Sequence, residues 1–309
     1  MVHQIGYSVV ALAAVLLVCN HSRTGTLAFE AADRDPVLLR VSFENHQPGE
    51  RYGVFDVNED FLTLQSVGTF FPAARVTVVE RRDGRGNAIA VRYPEGRLRS
   101  LNSGASWYVS NLGTHQELYL SYWVKFPPDF AFRAGGKLHG LCGGTCNTGG
   151  DKPNGHDGWS SRVHWGRDGK VKQYIYHKDQ PGPYGHVFYW QRTKDSSDAK
   201  SFQTYKVRND TLRFERGRWH HVETRVRVND VGEANGEVQS WLDGESALSI
   251  NGLEFRDARC SEDELLIDRM YFSTFFGGNS DSYRPVKDEV IYFDDFIVST
   301  RFVPMAQSR

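Results

Sequence analysis

The chain has 309 residues, 39% of them apolar and 24% charged, with 30 Gly, 14 Tyr, 19 Phe and 7 Trp. These globular proportions exclude disorder and collagen-like repeats, and the aromatic and glycine content favours strands joined by tight turns. A formal net charge of −1, from 37 basic and 38 acidic side chains, implies no basic face for nucleic acid, so an anionic partner needs a local cationic site.

Val9 to Val18, VVALAAVLLV, is an apolar run of ten. It suits a signal-peptide core and is about half the ~20 residues that cross a bilayer. Residues 1–28 are therefore expected to be a signal peptide, with small residues for cleavage at Thr26-Leu27-Ala28. Residues 29–309 would follow as a secreted, membrane-free, monomeric domain with its core at about 37–303. Cys142, Cys146 and Cys260 would then meet an oxidising compartment that permits a disulfide. The glycines of Gly140-Leu-Cys-Gly-Gly-Thr-Cys-Asn147 would let Cys142 and Cys146 close a short loop, and a bridge from either one to Cys260 is the alternative. No second Cys or His pair stands at zinc spacing.

From Val37 to Val303 apolar residues recur with period two, and no long stretch keeps a 3.6-residue period, so the fold is expected to be all-β. Leu118, Leu120, Tyr122, Val124 and Phe126 share one face of a strand, as do His220, Val222, Thr224, Val226 and Val228. Asp83-Gly84, Asp168-Gly169, Asn235-Gly236 and Asp243-Gly244 read as hairpin turns. With neither linker nor internal repeat, this predicts a single β-sandwich or jelly roll with a substrate cleft on a curved antiparallel sheet. The last strand, Val290 to Val298, should return to pair near Val37 to Phe43. Asp294 and Asp295 beside Glu44 would offer oxygens to a structural calcium, but adjacent strand residues point to opposite faces, and solvated turn carboxylates are the preferred reading. Asn209-Asp-Thr211 is a glycosylation acceptor in a eukaryotic secretory pathway.

The chemically informative segment is Gly135 to Lys178. Lys137 lies between glycines, and Ser160, Arg162 and His164 alternate along Trp159-Ser-Ser-Arg-Val-His-Trp165, so they share a face. Tyr174 and Tyr176 share a face of the next strand, with Lys178 following. Arg167-Asp168-Gly169 suits a three-residue hairpin loop, a type I turn followed by left-handed Gly. That loop sets Arg162 opposite Tyr174 and Ser160 opposite Tyr176; a two- or four-residue loop would separate the pairs onto opposite faces.

A guanidinium, an ammonium and two phenols on one face suit β-elimination at a uronic acid. Arg162 or Lys137 would neutralise the carboxylate beside C5. A tyrosine with its pKa lowered by these cations would take the C5 proton, and it or its neighbour would protonate the departing oxygen. Ser160 would hold a substrate oxygen or orient a phenol. His139, His164 and Lys178 are candidates for binding substrate, and Tyr184, Tyr189 and Trp190 for stacking on sugar rings. Glycoside hydrolysis would want two opposed carboxylates. A serine hydrolase would want a strand-to-helix elbow around Ser160.

At these residues the chain resembles polysaccharide lyases of family 14, which include alginate lyases of algal viruses and herbivorous molluscs. The resemblance runs through Trp123-Val-Lys-Phe-Pro127, Gly136-Lys-Leu-His-Gly140, Trp159-Ser-Ser-Arg162, Tyr174-Ile-Tyr176, Gly217-Arg-Trp-His220 and Thr274-Phe-Phe-Gly-Gly278. It implies a β-jelly roll, β-elimination without a required metal or other cofactor, and catalytic roles for Lys137, Ser160, Arg162, Tyr174 and Tyr176. The expected partner is an acidic polysaccharide, foremost the mannuronate-rich blocks of alginate. Glucuronan is the alternative substrate, and a non-catalytic module binding acidic glycans is the alternative function.

Overall fold

Period-two alternation yields strands throughout, and a computed structural model describes them over residues 35–61, 73–81, 83–193 and 205–304. The expected signal peptide lies outside the described residues. The strands are β1 (Val37–Val41), β2 (Val76–Glu80), β3 (Asn87–Tyr93), β4 (Ala105–Val109), β5 (Glu117–Lys125), β6 (Gly135–Gly144) and β7 (Gly158–Gly166). They continue with β8 (Val171–Tyr176), β9 (His186–Tyr189), β10 (Trp219–Arg227), β11 (Gly236–Leu242), β12 (Glu245–Leu253), β13 (Arg269–Phe276) and β14 (Glu289–Ser299). Two short helices, α1 (Val54–Asp60) and α2 (Arg99–Asn102), interrupt the alternation.

An eight-stranded antiparallel sheet runs β12-β11-β10-β5-β14-β3-β2, with β1 also on β14, and a six-stranded sheet runs β4-β13-β6-β7-β8-β9. Leu118, Leu120, Tyr122, Val124 and Phe126 are buried, as are Val222 and Val226 beside them. Leu138, Val163, Trp165, Ile175 and Phe272 from the other sheet belong to the same core. This double layer removes the apolar face of each sheet from water, the main favourable contribution to such a fold.

β14 closes the domain as its sequence suggests, pairing with β3 through Glu289–Phe293 and with β1 through Phe296–Ser299. A bulge between Asp294 and Ile297 makes the switch, with Asp295 in the left-handed region at φ 47°. The bulge also corrects the reading of its acids. Asp294 is buried rather than solvated, with Oδ2 2.5 Å from Arg81 Nη1, and Glu44 accepts the Asn87 N–H at 3.0 Å. Among the described residues, no cluster of three His, Cys, Asp or Glu side chains is arranged to hold a metal ion.

Two turns set the register that matters. Asp243-Gly244 joins β11 to β12 as a two-residue loop with φ 55° and 82°, as a primed turn requires. Arg167–Gly169 joins β7 to β8 as the expected three-residue loop, closed by Gly166 N–H donating to Lys170 O at 2.7 Å. Asp168 is left-handed too, at φ 58° beside Gly169 at φ 76°, so the turn is not type I. Loop length, not turn type, carries the register. Asn235-Gly236 is not a tight hairpin: β10 ends at Arg227, and Asn235 ties the longer loop by donating to Asp230 Oδ2 at 2.8 Å.

Candidate active site

The register places Arg162 opposite Tyr174 and Ser160 opposite Tyr176 across β7 and β8, and Lys137 of β6 opposite His164 of β7. Gly140 permits this approach, since a Cβ there would stand 2.0 Å from Ser161 O and 2.6 Å from Arg162 Cα. The result is a cleft of about 390 Å³ whose floor carries Lys137, Arg162, Tyr174, Tyr176, Tyr271 and Phe275. Thr148, Gly149 and Tyr184 line it from the β6–β7 and β8–β9 connections, and Arg99, Gly278 and Asn279 from the β3–β4 and β13–β14 connections. Among the described residues, Lys137, Arg162 and Arg99 line the cleft and no carboxylate does.

Arg162 is 2% exposed. Its Nη1 lies 3.5 Å from Ser273 Oγ, its guanidinium sits 5.1 Å from the centre of the Tyr271 ring, and its Nε has no hydrogen-bond partner. A permanently charged group buried without a carboxylate is costly unless an anion completes it. Lys137 is half-buried, with Nζ 3.3 Å from His164 Nδ1 and 4.5 Å from the centre of the Tyr174 ring. Burial, then the Arg162 and Lys172 charges, holds its pKa well below the lysine range. Burial and the same cations with Lys137 hold His164 well below the histidine range, so its ring is neutral and Nδ1 accepts from Lys137.

The Tyr174 phenol departs from expectation. Burial first, then the adjacent Tyr176, raises the Tyr174 pKa, and Arg162 only partly opposes them. Tyr174 therefore keeps its proton, the reverse of the cation-lowered phenol read from sequence. Its ring stacks on His164 at 4.2 Å and meets Tyr176 edge-on at 5.5 Å. Tyr176 is 1% exposed and its hydroxyl accepts the Gly150 N–H at 3.0 Å.

His139 and Lys178 are placed otherwise than their spacing suggested, whereas Ser160 and His164 keep the predicted face but are buried. His139 does not face the cleft, because a register shift between Lys137 and Gly140 reverses the alternation. It is buried against Phe272 and Phe293, at ring separations of 4.0 and 4.6 Å, and its Nδ1 accepts the Ser273 N–H. Lys178 falls beyond the end of β8 and pairs with Glu254 at 2.6 Å. His164 shares the Arg162 face but is 3% exposed and lies against Lys137 and Tyr174. Ser160 is fully buried and its hydroxyl donates to the Asn147 carbonyl at 2.7 Å.

Of the stacking candidates, Tyr184 stands at the cleft, 59% exposed, whereas Trp190 is in the core and Tyr189 faces the Lys172 ammonium. Phe275 and Gly278 belong to Thr274-Phe-Phe-Gly-Gly278, a motif visible in the sequence. Arg99, Tyr271 and Asn279 carry no such signal and reach the cleft only through the fold.

The disulfide is Cys142–Cys146, with Cα atoms 5.2 Å apart, and Cys260 is a buried free thiol. Cys146 takes φ 59° to turn the chain after β6. The bridge thereby anchors the segment whose Asn147 carbonyl holds Ser160 and whose Gly150 N–H holds Tyr176.

Cations and phenols gather on one sheet of an antiparallel sandwich, with no carboxylate pair beside them among the described residues, which suits elimination at a uronate better than glycoside hydrolysis. The sequence profile of polysaccharide lyase 14 matches residues 81–296, and the chain belongs to that family. Alginate lyase Aly36B is similar at 26% identity and TM-score 0.66, over 86% of this chain and 98% of its own. The alginate lyase of Aplysia kurodai shares the fold at 23% identity and TM-score 0.63, over 86% and 99% of the two chains. Alginate lyase vAL-1 from Chlorella virus does so at 23% and 0.56, over 73% and 89%. No curated protein sequence matches the chain.

Replacing Cys142 and Cys146 together with serine is expected to cost about 2 kcal/mol of stability for so short a loop. A denaturant midpoint shift reads that cost. Because the bridge anchors two residues of the cleft wall, kcat should fall even where the variant is fully folded, and an unchanged kcat would remove the bridge from the site.

Proposed function

We propose that this protein is a secreted alginate lyase acting on polymannuronate blocks by β-elimination. The observation that carries the reading is a cleft in a family-14 chain lined by Lys137, Arg162, Arg99 and four tyrosines, with no carboxylate among the described residues. The Aly36B relative, 25% identical as a double mutant, has been solved with alginate tetrasaccharide bound, which supports an acidic polysaccharide as the ligand. The Cys142–Cys146 bridge supports export to an oxidising compartment. No described helix is long and apolar enough to cross a membrane.

In the proposed mechanism Arg162 receives the carboxylate of the reacting uronate, supplying the positive charge that stabilises an enolate-like transition state. Lys137, whose proton is loosened by burial and by Arg162 and Lys172, takes the C5 proton as a neutral amine. The C5–H electron pair becomes the C4–C5 double bond, the C4–O4 bond breaks, and O4 takes the proton of Tyr174. The products are an unsaturated uronate at a new non-reducing end and a free hydroxyl on the other fragment. Net transfer of one proton from Lys137 to Tyr174, whose ring lies under the ammonium, restores the site. His164 orients Lys137, and Ser160 and Tyr176 hold the loop through Asn147 and Gly150. No residue of this scheme needs a metal.

The test is absorbance near 235 nm, where the conjugated uronate absorbs, with the protein acting separately on polymannuronate, polyguluronate and glucuronan, with and without chelator. A rise on polymannuronate that persists in chelator is expected. A rise confined to glucuronan would transfer the substrate assignment, and loss of the rise in chelator would refute the metal-free scheme.

A further inference from the structure

The proposed chemistry leaves one cation of the cleft unused. Arg99 is exposed at the start of α2, and its Nη2 donates to Asn279 Oδ1 at 3.0 Å. Arg92 of β3 pairs with Asp288 at 2.5 Å, and Arg284 on the β13–β14 connection pairs with Asp281 at 2.7 Å. Arg99 has no carboxylate within ion-pairing distance among the described residues and is steered by a neutral amide that leaves its charge unspent. Its backbone is left-handed, φ 64°, a conformation disfavoured for any residue but glycine. Strain of this kind at a cleft is retained when the surroundings enforce it and the side chain is used. Gly96 N–H donates to Pro285 O at 2.9 Å and Arg284 Nη1 to Gly96 O at 2.6 Å, tying the connection that carries Arg99 to the one that carries Asn279.

The position of Arg99 across the sheet indicates its use. α2 packs on β13 and β4, whereas the exposed Tyr184 ring belongs to the β8–β9 connection, so the two bound the cleft on opposite sides of Lys137 and Arg162. From β13 to β8 is three strand spacings, about 14 Å, more than one sugar ring occupies.

We propose that Arg99, held by Asn279, is a subsite for the carboxylate of a uronate flanking the one that reacts, so that the polymer lies across the strands from Tyr184 to Arg99. The assignment rests on the uronate-lyase reading and adds to it the direction of the chain and a residue that favours polymer over short fragments. Arg99 binds; it takes no part in the proton transfers.

Initial rates at 235 nm on polymannuronate test it. Arg99→Ala should raise KM about tenfold, as loss of a charge-assisted contact does, with kcat changed less than twofold. Asn279→Asp, which would neutralise Arg99 with a new carboxylate, should raise KM similarly, and Arg99→Lys should recover most of the loss. Arg99→Gly suits the left-handed backbone and separates charge from strain: it should show the same KM rise without a lower Tm. An unchanged KM in Arg99→Ala, or a KM restored in Arg99→Gly, would overturn the assignment. If the wild-type protein eliminates no uronate polymer, the substrate reading fails by itself. Calorimetric binding of polymannuronate then decides the subsite, with weaker binding to Arg99→Ala supporting it and equal binding overturning it.

Discussion

Lys137→Arg is expected to lower kcat on polymannuronate by roughly a thousandfold, within the range found when a positioned general base is lost. The substitution keeps the charge and much of the length, but a guanidinium does not deprotonate at working pH. A purely electrostatic Lys137 would therefore tolerate it, whereas a proton-accepting Lys137 would not. In the wild-type protein the amine fraction grows as pH rises through a pKa that burial, Arg162 and Lys172 hold well below the lysine range. The specificity constant kcat/KM should accordingly rise with pH and level off below the ordinary lysine pKa. Lys137→Arg should remove that limb. A variant retaining more than a tenth of wild-type kcat would return Lys137 to the role of carboxylate partner.

Tyr174→Phe should lower kcat by about a hundred- to a thousandfold while polymannuronate binding changes little, because the phenol delivers a proton only as the C4–O4 bond breaks. The ring, and with it the stacking on His164 and the contact with Lys137, is kept. The raised Tyr174 pKa makes the group a reliable donor across the neutral range. A substrate whose leaving oxygen needs no protonation, such as a uronide carrying a nitrophenyl group at C4, should recover most of the lost rate. Equal deficits on both substrates would argue against proton donation by Tyr174. Tyr176→Phe serves as the comparison: it loses the acceptor for the Gly150 N–H and should loosen the cleft wall without the leaving-group dependence.

The strands, their faces and the pairing of Arg162 with Tyr174 were legible in the sequence because they depend on local quantities. Side chains alternate with period two, and a three-residue loop at Arg167–Gly169 determines register whichever turn it adopts. The same local logic failed at His139 and Lys178, where a register shift and a strand end broke the alternation. It failed again for the acidity of Tyr174, since spacing shows the nearby cations but not the burial that outweighs them.

What the sequence determined by itself was the all-β class, the family motifs and the presence of Lys137, Arg162, Tyr174 and Tyr176 on adjoining strands. Only the tertiary structure decided which cysteines join, which way the proton equilibria of Lys137 and Tyr174 are pushed, and that Arg99 and Asn279 reach the same cleft. Strand faces follow from backbone geometry a few residues long, whereas desolvation and cleft walls arise from segments far apart in the chain, and period and spacing carry no record of those encounters.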